Sequence, residues 1–242
     1  MELVTALRDL KLAGIAKSFE IRNKEAIERK LSYTEYLELL LEDEKSNREI
    51  NSLKKRQLKA KLPKQKTLED YDFNFQPTIN KKQIFDLATC KFIEKKENII
   101  FMGQPGTGKT HLASAIAEKA LITGYKVMFT TVSDMIETLH QSKADGTFNV
   151  KLRHYLNPDL LVLDELGFKP LNHHTINDFF EIISKRYEQK SIIITSNKTF
   201  EEWGEIFFDK VLATAIIDRL IHHCHPITIE GDSYRVKNHK TK

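Results

Sequence analysis

Cysteine is scarce in this sequence, with only Cys90 and Cys224 among 242 residues. Two thiols cannot form the set of disulfides that holds a small secreted domain together, and their scarcity favours a reducing, cytoplasmic location. The sequence also lacks a continuous apolar run of about 18 residues, so no transmembrane helix is expected. Its first residues lack the basic region and apolar core of a secretory signal. The chain nevertheless has 40% hydrophobic residues, enough to bury a core.

Glycine and proline are almost missing from the first 66 residues, which contain only Gly14 and Pro63. Because these two residue types weaken or end helices, their scarcity favours long helices. Leucine and isoleucine recur at helical spacing, and Ser32 with Glu35 matches a capping box that starts a helix. We therefore expect a small all-helical N-terminal domain over residues 1–66.

Acidic residues become rare between Lys45 and Lys66, where nine basic residues accompany a single acid. These basic residues follow an acidic and apolar helical segment. Such a change of charge favours a surface for nucleic acid or another acidic partner. The alternative is a solvated face of a long helix. The candidate DNA-binding residues are Lys54, Lys55, Arg56 and Lys59.

Residues 103–110 match a phosphate-binding loop of the form G-x-x-x-x-G-K-[ST]. The residues are Gly103, Gln104, Pro105, Gly106, Thr107, Gly108, Lys109 and Thr110. An apolar run at 99–102 predicts a strand before the loop, and helical spacing of apolar residues follows it. In this setting the loop N–H groups bind phosphate oxygens, Lys109 reaches the β- and γ-phosphates, and Thr110 binds Mg²⁺. The expected cofactors are ATP and Mg²⁺, and His111 is included among the nucleotide-binding residues.

Two adjacent carboxylates, Asp164 and Glu165, follow the four apolar residues 160–163. Four consecutive apolar residues are typical of a strand buried on both faces of a parallel sheet, and carboxylates at its end need a cation or water. Beside a phosphate loop, Asp164 is expected to hold Mg²⁺, and Glu165 is expected to orient and deprotonate the attacking water. The alternative is a strand that ends in a surface pair of acids.

From residue 98 onward, apolar strand patterns alternate with helical stretches. The strand candidates are residues 99–102, 126–130, 160–163, 192–195 and 227–229. This alternation predicts an α/β fold with a five-stranded parallel sheet covered by helices, and we assign residues 67–242 to this domain. Its first part carries Tyr71, Phe73 and Phe75, which either lie beside the adenine or only pin the linker to the core.

Polar and basic side chains after the later strands are candidates for contact with the γ-phosphate. Asn197 ends the run Thr195-Ser196-Asn197, and its amide offers a donor and an acceptor to the phosphate and the water. Thr195 or Ser196 can take its place. Arg219 and Arg235 can stabilise the charge that develops during hydrolysis, although either arginine can equally be a surface charge.

The run His222-His223-Cys224-His225 contains residue types that bind metals. Adjacent residues of an extended segment point to opposite faces, so they do not all converge on one ion. Structural zinc sites use spaced pairs of ligands instead. We therefore expect no zinc site in this run.

Together these segments resemble the IstB-like ATP-binding proteins, the transposition helper ATPases of insertion sequences. The resemblance covers the whole chain and rests on the phosphate loop, Leu-Val-Leu-Asp-Glu-Leu-Gly at 161–167, Ile-Thr-Ser-Asn at 194–197, Ile-Ile-Asp-Arg-Leu at 216–220 and Ser-Tyr-Arg at 233–235. It implies a P-loop domain of the AAA+ initiator clade, related to the DnaC and DnaI helicase loaders, with a reduced or absent lid. It further implies that Asn197 is the sensor-1 residue, that Arg219 is an arginine finger for the adjacent subunit, and that Arg235 is sensor 2.

The resemblance also implies a function. Family members assemble on duplex DNA with ATP, deform it and deliver the target to a partner transposase, which stimulates ATP hydrolysis. The expected partners are therefore duplex DNA, a cognate transposase and further copies of this chain. A helicase loader of the DnaC or DnaI kind has the same ATPase residues and is the alternative. The pair Asp164-Glu165 and the basic segment disfavour a small-molecule kinase, and Glu165 with Arg219 disfavours a scaffold that never hydrolyses its ATP.

Overall fold

The structure, a computed structural model, describes residues 3–63, 66–169, 171, 173–207 and 209–234. The chain divides into two compact units, residues 1–56 and residues 57–242, and the division lies inside the third helix. Within the described ranges, every helix is too short or too polar to span a lipid bilayer.

The first unit consists of helices and the turns between them. The helices are α1 (Leu3–Asp9), α2 (Ala13–Arg29) and the first part of α3 (Tyr33–Ala60). The predicted capping box is confirmed, because the Ser32 N–H donates to Glu35 Oε2 at 2.7 Å and the Glu35 N–H donates to Ser32 Oγ at 3.3 Å. The acidic segment and the basic residues up to Lys59 form one continuous helix of 28 residues, since neither glycine nor proline interrupts residues 33–60.

Within the first unit, the start of α2 packs closely against α3 at Gly14. A Cβ atom at Gly14 would lie 2.6 Å from Glu44 Cα, so only glycine allows this approach. Glu44 Oε2 accepts the N–H groups of Gly14 at 2.6 Å and Ile15 at 3.3 Å, which satisfies donors in the first turn of α2. Arg48 donates to Glu44 Oε1 at 2.7 Å, and this bond lowers the pKa of Glu44.

The second unit is built around a sheet of five parallel strands, which confirms the predicted α/β fold. The strands are β1 (Asn98–Gly103), β2 (Val127–Thr131), β3 (Leu160–Leu166), β4 (Ser191–Ser196) and β5 (Cys224–Ile229), and their order is β2-β3-β4-β1-β5. All neighbouring strands are parallel, so their carboxyl ends lie on one edge. The strand order reverses at β1, and this switch point is where open α/β sheets bind ligands.

The sheet is buried on both faces. Ile99 and Ile100 are adjacent on β1, so their side chains point to opposite faces, and both are fully buried. This double burial explains the unbroken apolar runs in the sequence. The helices of this unit, beyond the end of α3, are α4 (Lys81–Leu87), α5 (Lys91–Glu94), α6 (Lys109–Thr123), α7 (Val132–Ala144), α8 (Phe148–Leu156), α9 (His173–Arg186), α10 (Trp203–Ile206) and α11 (Lys210–Ile221).

A fully buried arginine, Arg186, stabilises the start of β4. Its guanidinium donates to the carbonyl oxygens of Tyr155 at 3.0 Å, Pro158 at 2.9 Å and Ser191 at 2.7 Å. These bonds satisfy carbonyl groups that the turn after α8 removes from water. Burial lowers the pKa of Arg186 to about 9, so the side chain remains charged at neutral pH.

Candidate functional site

The phosphate-binding loop joins the end of β1 to the start of α6, as the flanking patterns predicted. Lys109 Nζ donates to the carbonyl oxygens of Gly103 at 2.7 Å and Gln104 at 2.8 Å. Thr107 Oγ1 also donates to Gln104 O, at 2.8 Å. These bonds close the loop on itself and hold the lysine ammonium against the loop backbone.

Two glycines of the loop exclude any side chain. Gly106 has a φ of +84° and Gly108 a φ of +98°, which residues with a Cβ atom rarely adopt. A Cβ atom would lie 2.1 Å from Ser233 Oγ at Gly106 and 2.6 Å from Tyr71 Cε2 at Gly108. The loop therefore packs tightly between the segment before β1 and the segment after β5.

The two predicted metal ligands, Thr110 and Asp164, meet at the edge of the sheet beside the loop. Thr110 Oγ1 donates to Asp164 Oδ1 at 2.9 Å. Asp164 is buried, with 5% of its surface exposed, and Thr195 Oγ1 donates to the same carboxylate oxygen. A hydroxyl and a carboxylate in contact provide oxygen ligands, which suit a hard cation such as Mg²⁺.

Glu165 follows Asp164 in a different backbone conformation. Its φ is +64°, and its side chain is exposed. The pairing of β3 with β4 is regular up to Leu163 and Ile194 and then shifts, so that Leu166 pairs with Ser196. This shift leaves one extra residue on β3 and marks a β-bulge at the two acids.

A cavity of about 370 Å³ lies over the phosphate loop. Its lining includes residues 105–111 of the loop and first helical turn, together with Glu165 and Asn197. Three predicted residues, Gly103, Gln104 and Asp164, do not line it. Each accepts a hydrogen bond from a residue that does: Gly103 and Gln104 from Lys109, and Asp164 from Thr110. The volume is typical of a small-molecule site.

The segment before β1 forms one wall of this cavity. Tyr71 OH donates to Thr107 O at 3.1 Å, and burial raises the pKa of Tyr71. Phe73 packs edge-on against the Tyr71 ring, with centroids 4.8 Å apart, whereas Phe75 lines the cavity. Tyr71 also lines the cavity, so two of the three aromatic residues, Tyr71 and Phe75, border the space above the loop, and Phe73 packs behind Tyr71.

His111 also lines the cavity, but its ring is engaged elsewhere. Nε2 lies 2.7 Å from Thr67 O, and the ring packs edge-on against Tyr71, with centroids 5.2 Å apart. The imidazole therefore holds the wall of the cavity in place.

Sequence patterns missed several lining residues, including Gln76, Phe168 and Tyr234. Gln76 Nε2 donates to Asp232 O at 3.0 Å, and the Tyr234 N–H donates to Gly106 O at 3.0 Å. These contacts join parts of the chain that are far apart in sequence, so local spacing cannot reveal them. The position of Tyr234 in the Ser-Tyr-Arg segment was the one available signal.

Arg219, a predicted catalytic residue, does not line the cavity of its own chain. It is half-buried on α11, where Nη1 donates to Ala215 O at 2.8 Å and the guanidinium lies 5.1 Å from the Phe180 ring centroid. Arg235, the other predicted arginine, lies outside the described residues.

The four predicted DNA-binding residues lie on α3. Lys54, Lys55 and Lys59 are exposed, whereas Arg56 is half-buried and its Nη1 donates to Ser52 Oγ at 2.7 Å. Lys55 and Lys59 are four residues apart and share one face of the helix. The helix therefore presents several ammonium groups to solvent.

The histidine run differs from the extended segment that the sequence suggested. His222 directly follows α11 and His223 lies in a turn, so only Cys224 and His225 belong to β5. The ring centroids of His222 and His223 are 4.0 Å apart. One potential ligand atom from each histidine and one from Glu188 lie within 4.8 Å of one another. The expectation that neighbouring side chains diverge is therefore wrong for this pair. The group is exposed and lies at the amino end of β5, away from the phosphate loop.

The sequence matches the model of a protein family described as IstB-like ATP binding protein, over residues 5–242. The chain belongs to this family. One relative is the ATP-binding protein of insertion sequence IS21 from Pseudomonas aeruginosa, 42% identical over 236 residues, which are 98% of this chain and 89% of the relative. The ATP-binding protein of insertion sequence IS5376 from Geobacillus stearothermophilus is 40% identical over 228 residues, 94% of this chain and 91% of the relative. The resemblance inferred from the motifs is confirmed.

Solved structures of replication proteins share the fold of this IstB-like chain. DnaI is 24% identical with a TM-score of 0.59, over 68% of this chain and 90% of its own. The DnaC helicase loader is 25% identical with a TM-score of 0.52, over 68% and 97%. The replication initiator DnaA bound to AMPPCP and single-stranded DNA is 25% identical with a TM-score of 0.57, over 75% and 55%. The IstB-like chain is therefore an AAA+ ATPase.

The geometry of this IstB-like ATPase suits phosphoryl chemistry. The cavity holds an ammonium group at Lys109, a hydroxyl group at Thr110 and an exposed carboxylate at Glu165. These groups come from the phosphate loop and from the neighbouring carboxyl end of β3. A cation that binds phosphates and a carboxylate that accepts a proton from water are the parts that hydrolysis of a phosphoanhydride needs.

Proposed function

We propose that this chain is a transposition ATPase, which binds ATP and Mg²⁺, assembles on duplex DNA and delivers that DNA to a transposase. The observation that carries the proposal is the meeting of Lys109, Thr110 and Glu165 in one cavity of an IstB-like chain. The relatives from Pseudomonas aeruginosa and Geobacillus stearothermophilus are named for insertion sequences, and this supports a role in transposition.

The residues around the loop fit ATP with Mg²⁺. Thr110 Oγ1 and Asp164 Oδ1 are 2.9 Å apart, and together they would hold the cation, which neutralises charge on the phosphates when bound. Lys109 would exchange the carbonyl oxygens of Gly103 and Gln104 for phosphate oxygens. This exchange keeps the ammonium hydrogen-bonded both with and without nucleotide.

Hydrolysis requires groups that act on water and on the γ-phosphate. Glu165 would accept the proton of the attacking water, and Asn197, which directly follows the neighbouring strand β4, would orient the water and the phosphate through its amide. Arg219 lies outside its own cavity, so we assign it to the ATP of an adjacent subunit in a homo-oligomer. Arg235 is assigned to its own subunit as sensor 2.

The exposed lysines of α3 support binding to DNA. A structure of DnaA, which shares the fold of the ATPase unit, contains single-stranded DNA. On duplex DNA, each phosphate that a lysine neutralises releases counterions, so affinity falls steeply with salt concentration. Contacts to phosphates alone carry no sequence information. We therefore expect binding with little sequence preference.

Replacement of Lys54, Lys55 and Lys59 with Ala is expected to reduce the salt dependence of duplex DNA binding. The slope of log affinity against log salt is negative, and each lost phosphate contact should reduce its magnitude by about 0.9, so three contacts account for about 2.7. Fluorescence anisotropy with labelled duplex DNA at several salt concentrations measures the slope.

The matched control is the replacement of Lys24, Lys82 and Lys95, which are also exposed, so the net charge changes equally. This control should reduce the magnitude of the slope much less. If both triple variants give the wild-type slope, α3 does not contact DNA phosphates and its charge serves another partner.

The identity of the partner distinguishes transposition from the alternative, a helicase loader. The loader remains a candidate because the fold matches the DnaC helicase loader. We expect the transposase of the same insertion sequence to raise the ATPase rate on duplex DNA, and the replicative helicase of the host to leave it unchanged. The Glu165→Gln chain is the control for ATPase contamination in either partner. Stimulation by the helicase alone would replace the transposition proposal with a loader function.

A further inference from the structure

A single buried hydroxyl group connects the two acids of the candidate site. Thr195 lies on β4 with 1% of its surface exposed. Its Oγ1 accepts the N–H of Glu165 at 3.0 Å and donates to Asp164 Oδ1. The Thr195 hydroxyl therefore contacts both the residue expected to bind the metal and the residue expected to activate water.

The β-bulge explains why Glu165 needs this hydroxyl. The strand register shifts after Leu163, so Glu165 has no regular partner on β4, and an extra residue in a bulge leaves its backbone groups unpaired. Thr195 Oγ1 supplies the missing acceptor for the Glu165 N–H. The left-handed conformation of Glu165 is unfavourable for a residue with a side chain, so it depends on such contacts.

The other side of the bulge has its own support, from Ser196. Its Oγ donates to Leu166 O at 2.8 Å and accepts the indole N–H of Trp203 at 3.2 Å. Neither contact involves an acid of the site. Ser196 therefore holds the strand after the bulge, whereas Thr195 acts directly on Asp164 and Glu165.

We propose that Thr195 is a positioning residue for ATP hydrolysis, whose hydroxyl directs the Glu165 side chain into the cavity and fixes the orientation of the Asp164 carboxylate. This inference rests on the proposed ATPase role of the cavity. A hydroxyl is needed because it donates and accepts at once. Valine has the same shape as threonine and can do neither.

The test compares Thr195→Val with Thr195→Ser. We expect Thr195→Val to lower kcat by about 10- to 100-fold while KM and the Kd for ATP change by less than about threefold, because the loss concerns the chemical step. Thr195→Ser keeps the hydroxyl and should restore kcat to within a few-fold of wild type. If the valine variant fails to fold, Thr195→Cys takes its place, since a thiol is only a weak donor and acceptor.

A buried hydroxyl elsewhere in the fold provides a control that distinguishes a loss of stability from a loss of positioning. Ser142 on α7 is 2% exposed, and its Oγ donates to Leu139 O at 2.7 Å. Ser142→Ala should lower the melting temperature without lowering kcat. If Thr195→Val lowers the melting temperature and leaves kcat at the wild-type value, the hydroxyl is purely structural and the proposal is wrong.

A double variant tests whether Thr195 acts through Glu165. In the Glu165→Gln background, measured over long single-turnover reactions, Thr195→Val should cause little further loss, because the base is already gone. Losses that multiply would mean that Thr195 does not act through Glu165 and would contradict that part of the proposal. A wild-type chain that does not hydrolyse ATP would instead refute the proposed function, so the two failures are distinguishable.

Discussion

Replacement of Glu165 with Gln is expected to slow ATP hydrolysis by about 100-fold or more, since a positioned general base contributes roughly 10²- to 10⁴-fold. The amide has nearly the shape of the carboxylate but cannot accept the proton of the attacking water. The side chain is exposed in the cavity, so the substitution leaves no buried group without a partner. Phosphate release measured at saturating ATP checks the rate, and the Kd for ATP should stay within about threefold of wild type.

The same variant should form longer-lived complexes with ATP and duplex DNA, because the proposed function couples assembly on DNA to ATP binding and disassembly to hydrolysis. The dissociation rate of labelled DNA in the presence of ATP measures this lifetime. Glu118→Gln, on α6 outside the cavity lining, is the matched control and should behave as wild type. A Glu165→Gln chain that hydrolyses ATP at the wild-type rate would remove Glu165 from the mechanism.

The sequence predicted those parts of the fold and site that depend on neighbouring residues. The strand before the phosphate loop, the loop and the helix after it are contiguous, so apolar patterns and glycines identify them without tertiary information. The strand that ends at Asp164 is equally local, since burial on both faces requires an unbroken apolar run. The contact between Thr110 and Asp164 was also expected, because the phosphate loop and Asp164 both lie at the carboxyl ends of parallel strands, which share one edge of the sheet.

Features that depend on the register between strands could not be predicted. The bulge at Glu165 arises because β3 and β4 lose their register after Leu163, and no pattern within β3 encodes this shift. The contact between Thr195 and the two acids is a consequence of that register. The sequence therefore indicated Thr195 only as a possible substitute for Asn197 and not as a partner of the two acids.

Contacts between distant segments were also invisible in the sequence. Tyr234 donates its N–H to Gly106 O. Arg186 donates to the carbonyl oxygens of Tyr155 and Ser191, which lie before and after β3 in the sequence. An arginine at the end of a helix ordinarily predicts an exposed charge, so its complete burial follows only from the packing of α8 and β4. The convergence of His222 and His223 was missed for a similar reason, because the end of α11 was not recognised.

Lys109→Ala and Arg219→Ala are each expected to abolish ATP hydrolysis, for different reasons. Lys109 is the side-chain cation of the phosphate loop, so its loss should prevent tight ATP binding. Arg219 does not line the cavity of its own chain, so its loss should leave ATP binding intact and, in the proposed oligomer, remove charge stabilisation from the ATP of a neighbour. Equilibrium binding of ATP therefore distinguishes the two inactive variants before any mixture is made.

A mixture of these two variants should recover activity if Arg219 acts on the adjacent subunit. An Arg219→Ala subunit has an intact phosphate loop, and a Lys109→Ala neighbour supplies an intact arginine. In a head-to-tail oligomer formed from equal amounts, about one quarter of the interfaces pair them in the productive order, so up to about one quarter of the wild-type rate is expected.

Co-assembly must be shown by capture of one tagged variant through the other. A mixture of Lys109→Ala and Glu165→Gln subunits is a second test. In that mixture the Glu165→Gln sites bind ATP and receive an arginine but lack the base, so the mixture should stay inactive. Proven co-assembly without recovered activity in the first mixture would mean that Arg219 acts within its own subunit or only stabilises α11.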